Sequence, residues 1–445
     1  MKPEQQVKDE LSSLSEAVEF VLKRAKEKGA DQCEVSVSRQ TGVSISTRDQ
    51  QVETLEFNRD GAMGIALYKD SCKGSVSTSD LSQSAIEQAL DAALDISRYT
   101  SQDPDAGIGD ADLMAKEVRD LDLFHPQDLK PARFIELACE LEAKATSYSG
   151  IKASDGASLN SHYGAKVYGN SHGFIGGYPT SRHSMSCMLI AGEEEMQRDY
   201  AYSVARDFND LQSIASIADE AAQKTLSRLN SRKIDTCVVP VVFDREVASG
   251  LFGHFVGAIS GSNLYRRSSF LLDSMGQSIF PDWLSISEDP FVLKGLGSTP
   301  FDSEGIRTQK QNIVTSGELQ SYLLTTYSAR KLGMKSTGHA GGIHNWYVHG
   351  MSETRQALLD KMGTGLLVTE LMGQGVNIVT GDYSRGAAGF WVENGKIMYP
   401  VHEITIAGNL KEMYKNIVAI ADDPDPCSSI QSGSVLIESM KIAGS

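Results

Sequence analysis

Three histidines recur at five-residue intervals in Gly338-His339-Ala340-Gly341-Gly342-Ile343-His344-Asn345-Trp346-Tyr347-Val348-His349. Neutral imidazoles are common metal ligands, so the cluster invites a metal reading. The spacing, however, puts the three on neither one helix face nor alternate faces of a strand, and the glycines leave the path of the loop open. Contact with a peptide or a subunit and a plain surface loop are the competing readings. Asp302 and Glu304 stand two apart beside Gly305, where like charges held close shift each other's pKa and could divide acid and base work. Two acids before a glycine read more simply as a surface turn. Phosphate chemistry has less support: Gly295-Leu296-Gly297 and Gly373-Gln374-Gly375 lack the further glycine and the strand-to-helix setting of a dinucleotide fingerprint, and no Gly-Lys-Ser/Thr loop is present. No nucleotide cofactor is implied. A serine nucleophile would need a Gly-x-Ser-x-Gly elbow, which is absent, and Asp382-Tyr383-Ser384-Arg385 reads as a Gly-rich turn that shapes backbone.

The elements that must position these groups follow from periodicity. Leu14 to Lys28 carries Leu14, Val18, Val21, Leu22 and Ala25 at helical spacing and stops at Gly29, a favoured cap residue. Period-two runs at Glu34 to Ser38, Val43 to Ser46, Val52 to Phe57 and Gly64 to Tyr68, with a turn at Arg59-Asp60-Gly61, predict an antiparallel meander. A helix from Leu81 to about Ile96 follows, and another from about Pro131 to Tyr148. Strand-like sequence returns between Ala157 and Tyr202, broken by turn clusters at Tyr168-Gly169-Asn170-Ser171 and Gly176-Gly177-Tyr178-Pro179, before a helix from Leu211 to Leu229. Helix, meander, helix thus occurs twice, a duplication of architecture that no sequence period accompanies. The apolar run Thr236 to Phe243 predicts a buried strand. The fold class is therefore α+β in two domains: residues 1–230, with helices packed on antiparallel sheets, and residues 231–445, largely β with a short helix at about Glu246 to Ser260.

That short helix carries Leu251-Phe252-Gly253-His254-Phe255-Val256-Gly257-Ala258, followed by Gly261, Arg266 and Arg267. The segment resembles the TldD/PmbA family, whose TldD-like chains read Leu-Leu-His-Glu-Ala-Val-Gly-His and then Gly-x-x-Gly-x-x-x-Arg-Arg. In that register Gly253 stands at the first histidine ligand, His254 at the glutamate and Ala258 at the second histidine. A zinc peptidase needs about three protein ligands, an open position for water and a carboxylate to take its proton; Gly and Ala supply none of these. The third ligand of TldD-like chains is a cysteine near the C-terminus. Cys427 is a remnant candidate, but Cys427-Ser428-Ser429-Ile430-Gln431 departs from the TldD-like Cys-Gly-Lys-x-Gly-Gln, and a free structural thiol is the simpler reading. The likeness is to the PmbA (TldE) branch. It continues through Phe301-Asp302-Ser303-Glu304-Gly305, Lys335-Ser336-Thr337-Gly338, Ser384 to Gly395 and Pro400 to Leu410.

The resemblance implies a heterodimer that cuts unfolded peptides at one metal site, with zinc expected in a TldD-like partner and no metal or other cofactor in this chain. This chain would be the half without catalytic residues, completing a cavity and binding extended peptide, with His254, Arg266, Arg267, His339 and His344 as peptide-binding or remnant positions. His254 and Cys427 are the weak metal candidates. Family associations extend to modulation of DNA gyrase, microcin maturation and degradation of an antitoxin. Two rival readings stay open: a peptidase active alone through a rearranged site, and a regulatory binding module, for example as a homodimer.

Composition bounds these readings. The 445 residues carry 42 basic and 58 acidic side chains, a formal charge of −16, and such a surface repels phosphate backbones; no direct nucleic-acid binding is expected. Six cysteines at 33, 72, 139, 187, 237 and 427 form no Cys-x-x-Cys clamp and fit reduced thiols. The polar start Met1 to Gln6 and the lack of any run near the ~18 apolar residues of a membrane helix predict a soluble, cytoplasmic protein.

Overall fold

The computed structural model describes residues 2–128, 130–350 and 353–444. Its first half repeats one unit. Helix α1 (Pro3–Glu27), strands β1 (Gln32–Arg48), β2 (Gln51–Lys69) and β3 (Cys72–Thr78) and helix α2 (Gln83–Ser97) are followed by α3 (Pro131–Thr146), β4 (Ile151–Asn170), β5 (Ile175–Ala191), β6 (Gln197–Ala205) and α4 (Ile214–Ser227). The two meanders join through β1 and β4 into one antiparallel sheet of order β3-β2-β1-β4-β5-β6. The duplication expected from the sequence is therefore present as architecture.

Side chains alternate faces along a strand, and here the alternation separates two environments. In β1 the residues packed beneath helices are Cys33, Val35, Val37, Val43 and Ile45, and in β4 they are Ala157, Leu159, Tyr163, Ala165 and Val167. All four helices thus cover one face: α1 and α2 cover one end and α3 and α4 the other. The opposite face, bearing Ser36, Ser38, Lys166, Tyr168 and Tyr178, is free of helices and is turned towards the second half of the chain.

Two turn assignments need correction. Strand β2 runs unbroken through Arg59-Asp60-Gly61; the hairpin turns instead at Asp49 and Gln50, whose φ values of 52° and 58° are those a tight two-residue hairpin requires. Gly176-Gly177-Tyr178-Pro179 lies inside β5. Its glycines serve close packing, since a Cβ on Gly176 would come within 2.9 Å of Phe301 and one on Gly177 within 2.7 Å of Val167.

The second half opens with β7 (Cys237–Phe243), α5 (Arg245–Ala258), α6 (Gly261–Tyr265), β8 (Ser285–Asp289), β9 (Gln311–Thr315), β10 (Glu318–Leu319), α7 (Thr326–Lys331) and β11 (Asn345–His349). It continues with α8 (Arg355–Met362), β12 (Gly365–Met372), β13 (Asp382–Glu393), β14 (Lys396–Asn409), α9 (Leu410–Lys415), β15 (Ile417–Ile420), β16 (Ile430–Gln431) and β17 (Val435–Ala443). Asp382-Tyr383-Ser384-Arg385 begins β13, so it is strand and not the turn its composition suggested. One sheet has the order β10-β9-β8-β11-β16; the other has β14-β13-β12-β7-β17-β15, and a further β14–β17 pairing closes five of its strands into a ring. Helix α5 packs Leu251, Phe252, Phe255 and Ala258 into the core between these sheets, where the Phe255 ring lies 5.0 Å from Phe280, 6.1 Å from Trp346 and 6.0 Å from Tyr414.

The halves are tied by directional contacts. Arg330 donates to Ile108 O and Asp110 Oδ1, each at 2.8 Å, the Tyr178 and Thr299 hydroxyls meet at 2.7 Å, and the Phe174 and Phe301 rings meet edge to face at 5.2 Å.

Candidate functional site

Helix α5 keeps its frame without metal chemistry. Asp244 caps its N-terminus through Glu246 N, and it ends at Ala258, where a motif spread over five positions would have to leave the helix. Gly253 is exposed, and a Cβ there would meet nothing within 4 Å, whereas Ala258 is wholly buried in the core. Residues five apart sit about 140° apart around a helix, so the two vacant ligand positions also point to different environments. The His254 ring lies 5.9 Å from Tyr383, and its Nε2 is buried with no hydrogen-bond partner. Burial, helped by Arg385, lowers its pKa and keeps it neutral. Cys427 is half-buried on another wall, its Sγ 3.9 Å from Tyr202 O, and burial raises its pKa away from the thiolate a metal needs. Arg266 and Arg267 are exposed at the end of α6, with the Arg266 guanidinium 5.4 Å from the Tyr265 ring.

Among the described residues, the three-member set with metal-ligand types close together is Glu288, His339 and His344, with donor atoms within 4.8 Å of one another. The surface loop expected for the histidines is thus corrected for two of them. His339 and His344 are each 4% exposed, while His349 is exposed and meets the Ser287 hydroxyl at 2.6 Å. The organising residue, Glu288 on β8, is one that sequence reasoning missed. Its Oε1 accepts from the His344 backbone N–H at 2.8 Å and Trp346 Nε1 at 3.1 Å; its Oε2 accepts from Gln311 Nε2 at 3.1 Å and meets His339 Nε2 at 2.8 Å. His339 Nδ1 is held in turn by Thr337 Oγ1 at 2.8 Å. His344 Nδ1 lies 3.1 Å from Oε1 but is not aligned to hydrogen-bond.

Burial alone would discharge Glu288, but the hydrogen bond of His339 and then the His344 ring close by outweigh it and hold the carboxyl well below its usual range. The donor set does not fit a metal ion, because both carboxylate oxygens and both His339 nitrogens are already engaged, which leaves the His344 ring as the one unspent ligand. It fits a fastener. Glu288 grips the loop 339–344 at both ends.

Asp302 grips the same loop in the middle. Its Oδ1 accepts from the Glu304 and Ile306 backbone N–H groups at 2.9 Å and its Oδ2 from Ala340 N–H at 3.0 Å. The surface turn expected here is corrected: Asp302 is 3% exposed, and Gly305, with φ 73°, is pressed against Tyr168 of the other domain. Burial, with Glu304 second, pushes the Asp302 carboxyl up to about 7, against the pull of its three N–H donors.

These two carboxylates shape a cavity of about 590 Å³ between the helix-free sheet face and the loops 296–303 and 340–344. Serines 36, 38 and 77, Lys166 and Tyr178 form the sheet side, and Phe301, Ile343 and His344 belong to the loop side. The cavity lies against the face of a sheet and not along an edge, so a chain bound there cannot add as a further strand. Of the five positions expected to bind peptide, His344 lines it and His254, Arg266, Arg267 and His339 do not.

Comparison with known proteins agrees along the whole chain. Family models described as PmbA/TldA metallopeptidase domain 1, central domain and C-terminal domain match residues 33–97, 124–229 and 236–444. The chain is 56% identical to the metalloprotease PmbA of Escherichia coli O157:H7 over 446 residues, covering 100% of this chain and 99% of that one. It is 53% identical to the PmbA homolog of Haemophilus influenzae, with 98% of each covered. A solved Bacteroides thetaiotaomicron protein described as a candidate modulator of DNA gyrase superposes with a TM-score of 0.91 at 28% identity, covering 97% of this chain and 98% of that one.

Proposed function

The chain belongs to the PmbA/TldD family of metallopeptidases, and from that premise we propose that it is the non-catalytic subunit of a two-chain peptidase, holding unfolded peptide in its inter-domain cavity while a TldD-like partner carries the metal. The observation that supports this reading above the others is α5 itself. The helix retains its cap, its length and its core face, yet offers glycine in open space at one ligand position and buried alanine at the other. Among the described residues no carboxylate pairs with His254 to serve as a base. The reading of a peptidase active alone would need the Glu288 set, whose oxygens are engaged. What remains is a cavity of peptide size with polar and aromatic walls, of the kind that takes small ligands and short chains.

The test is cleavage of an unstructured peptide by the purified chain, by a TldD-like subunit, and by the two mixed, each with and without a chelator. Chelator-sensitive cleavage that requires the mixture is expected. Chelator-sensitive cleavage by this chain alone would overturn the proposal, and full activity of the partner alone would reduce this chain to a regulatory role.

A further inference from the structure

Arg206 follows β6 and closes one end of the inter-domain cavity, and its guanidinium lacks an acidic partner. Nη1 donates to Ser181 O at 3.1 Å and Nη2 to Leu296 O at 2.9 Å, and the buried Nε has no acceptor. A guanidinium has five N–H donors and keeps its charge, so this half-buried cation has its hydrogen-bonding capacity only partly met. In a chain of net charge −16, where most buried cations could find a carboxylate, that omission is informative. Its neighbours make the omission larger. Lys166 on β4 holds its Nζ 4.6 Å above the Tyr178 ring, and, like Arg182 on β5, it has no ion pair among the described residues. Burial first, and then the like charge of Arg182, lower the Arg206 pKa, the expected mark of cations assembled without their counter-charge. The acid in the cavity, Asp302, is spoken for by backbone N–H groups.

We propose that Arg206 and Lys166 anchor the terminal carboxylate of a bound peptide, fixing its C-terminal end at the β5–β6 side of the cavity. This rests on the reading of the cavity as a peptide site. The geometry selects a chain end over an internal acid: the cavity runs from Ser77 of β3 across β2, β1 and β4 to Tyr178 of β5, and Arg206, bonded to Leu296 O, bounds that end. With strands ~4.8 Å apart the path is about 19 Å long, enough for roughly five extended residues. A carboxylate accepting from a guanidinium and an ammonium makes charge-assisted hydrogen bonds, about twice as strong as neutral ones.

The test is fluorescence anisotropy with the full chain and three fluorescein-labelled, unstructured decapeptides of Gly, Ser and Ala: a free acid, its C-terminal amide, and the amide carrying one internal Glu. The free acid should bind about tenfold or more tighter than either amide, and Lys166→Gln and Arg206→Gln should narrow the gap. Lys166 is exposed, so its variant keeps the test alive if Arg206→Gln fails to fold. Equal binding of acid and plain amide would overturn the anchor while leaving the peptide site standing. Recovery of tight binding by the internal Glu, or displacement of the free acid by millimolar inorganic phosphate, would overturn the preference for a chain end in favour of a general anion site. Failure of all three peptides to bind would remove the peptide reading and the anchor with it.

Discussion

Helix α5 and the Glu288 fastener divide between them what a metal site needs. On α5 the backbone is in place and the side chains are missing: Gly253 looks onto empty space and Ala258 into the core. At Glu288 the side chains are in place and their valences are spent, on Trp346, Gln311, His339 and the loop backbone. The difference teaches that ligand identity and ligand availability are separate properties. A sequence displays the first, while the second depends on which donors the fold brings to each oxygen.

Four measurements test that contrast. The largest effect belongs to Glu288→Ala, which strands the His339 imidazole and three N–H donors in the interior; removing one partner of a buried pair costs about 3–5 kcal/mol, readable as a lower urea midpoint. A loss under ~1 kcal/mol would mean the set is loosely held and open to a ligand after all. The acid limb of stability comes next. Because the Glu288 carboxyl is held below its unfolded value near ~4.3, its contribution is complete above that pH and is lost as the pH falls through the folded value. Stability measured from pH 6 to pH 3 should therefore fall less steeply in Glu288→Gln than in the parent chain; parallel curves would remove the charge from the account. Rebuilding α5 gives smaller effects of opposite sign. Ala258→His forces an imidazole into a filled core and should cost about 1–3 kcal/mol. Gly253→Ala should stabilise by about 0.5–1 kcal/mol, since Gly is that much poorer than Ala inside a helix and the new methyl meets nothing. Thermal unfolding of both variants checks the pair, and a destabilised Gly253→Ala would show that the open face is not open.

Much of the first domain was legible because its signals are local. The stripe of α1 and the ends of α2 and α3 each announce themselves within a few residues, as does the apolar run of β7 in the second. The β1–β2 turn was misplaced because Asp49-Gln50 achieves two positive φ values without the usual Asn-Gly or Asp-Gly pair, while the Asp60-Gly61 pair that imitates the signal is held straight by its β1 partners Gln40 and Arg39. The glycines of β5 misled for a different reason: their purpose is proximity to Phe301 and Val167, chain neighbours only after folding. The helix of α5 could be read because its signals are contiguous. Glu288 and Arg206 could not. Glu288 sits in Ser285-Ile286-Ser287-Glu288-Asp289, where its only trace is an acid in step with inward-facing Ile286, and which face of a strand points inward is settled by partners distant in sequence.

The ring closure by β17 has a consequence for synthesis. The six-stranded sheet is complete once β6 has been made, so the first domain can fold while the ribosome is still translating the second. Strand β7, whose Val241, Val242 and Phe243 are fully buried in the finished protein, is made next but pairs only with β12 and β17, both far downstream. Throughout that interval a short apolar strand has both edges unpaired in the nascent chain, the kind of segment that aggregates or recruits a chaperone.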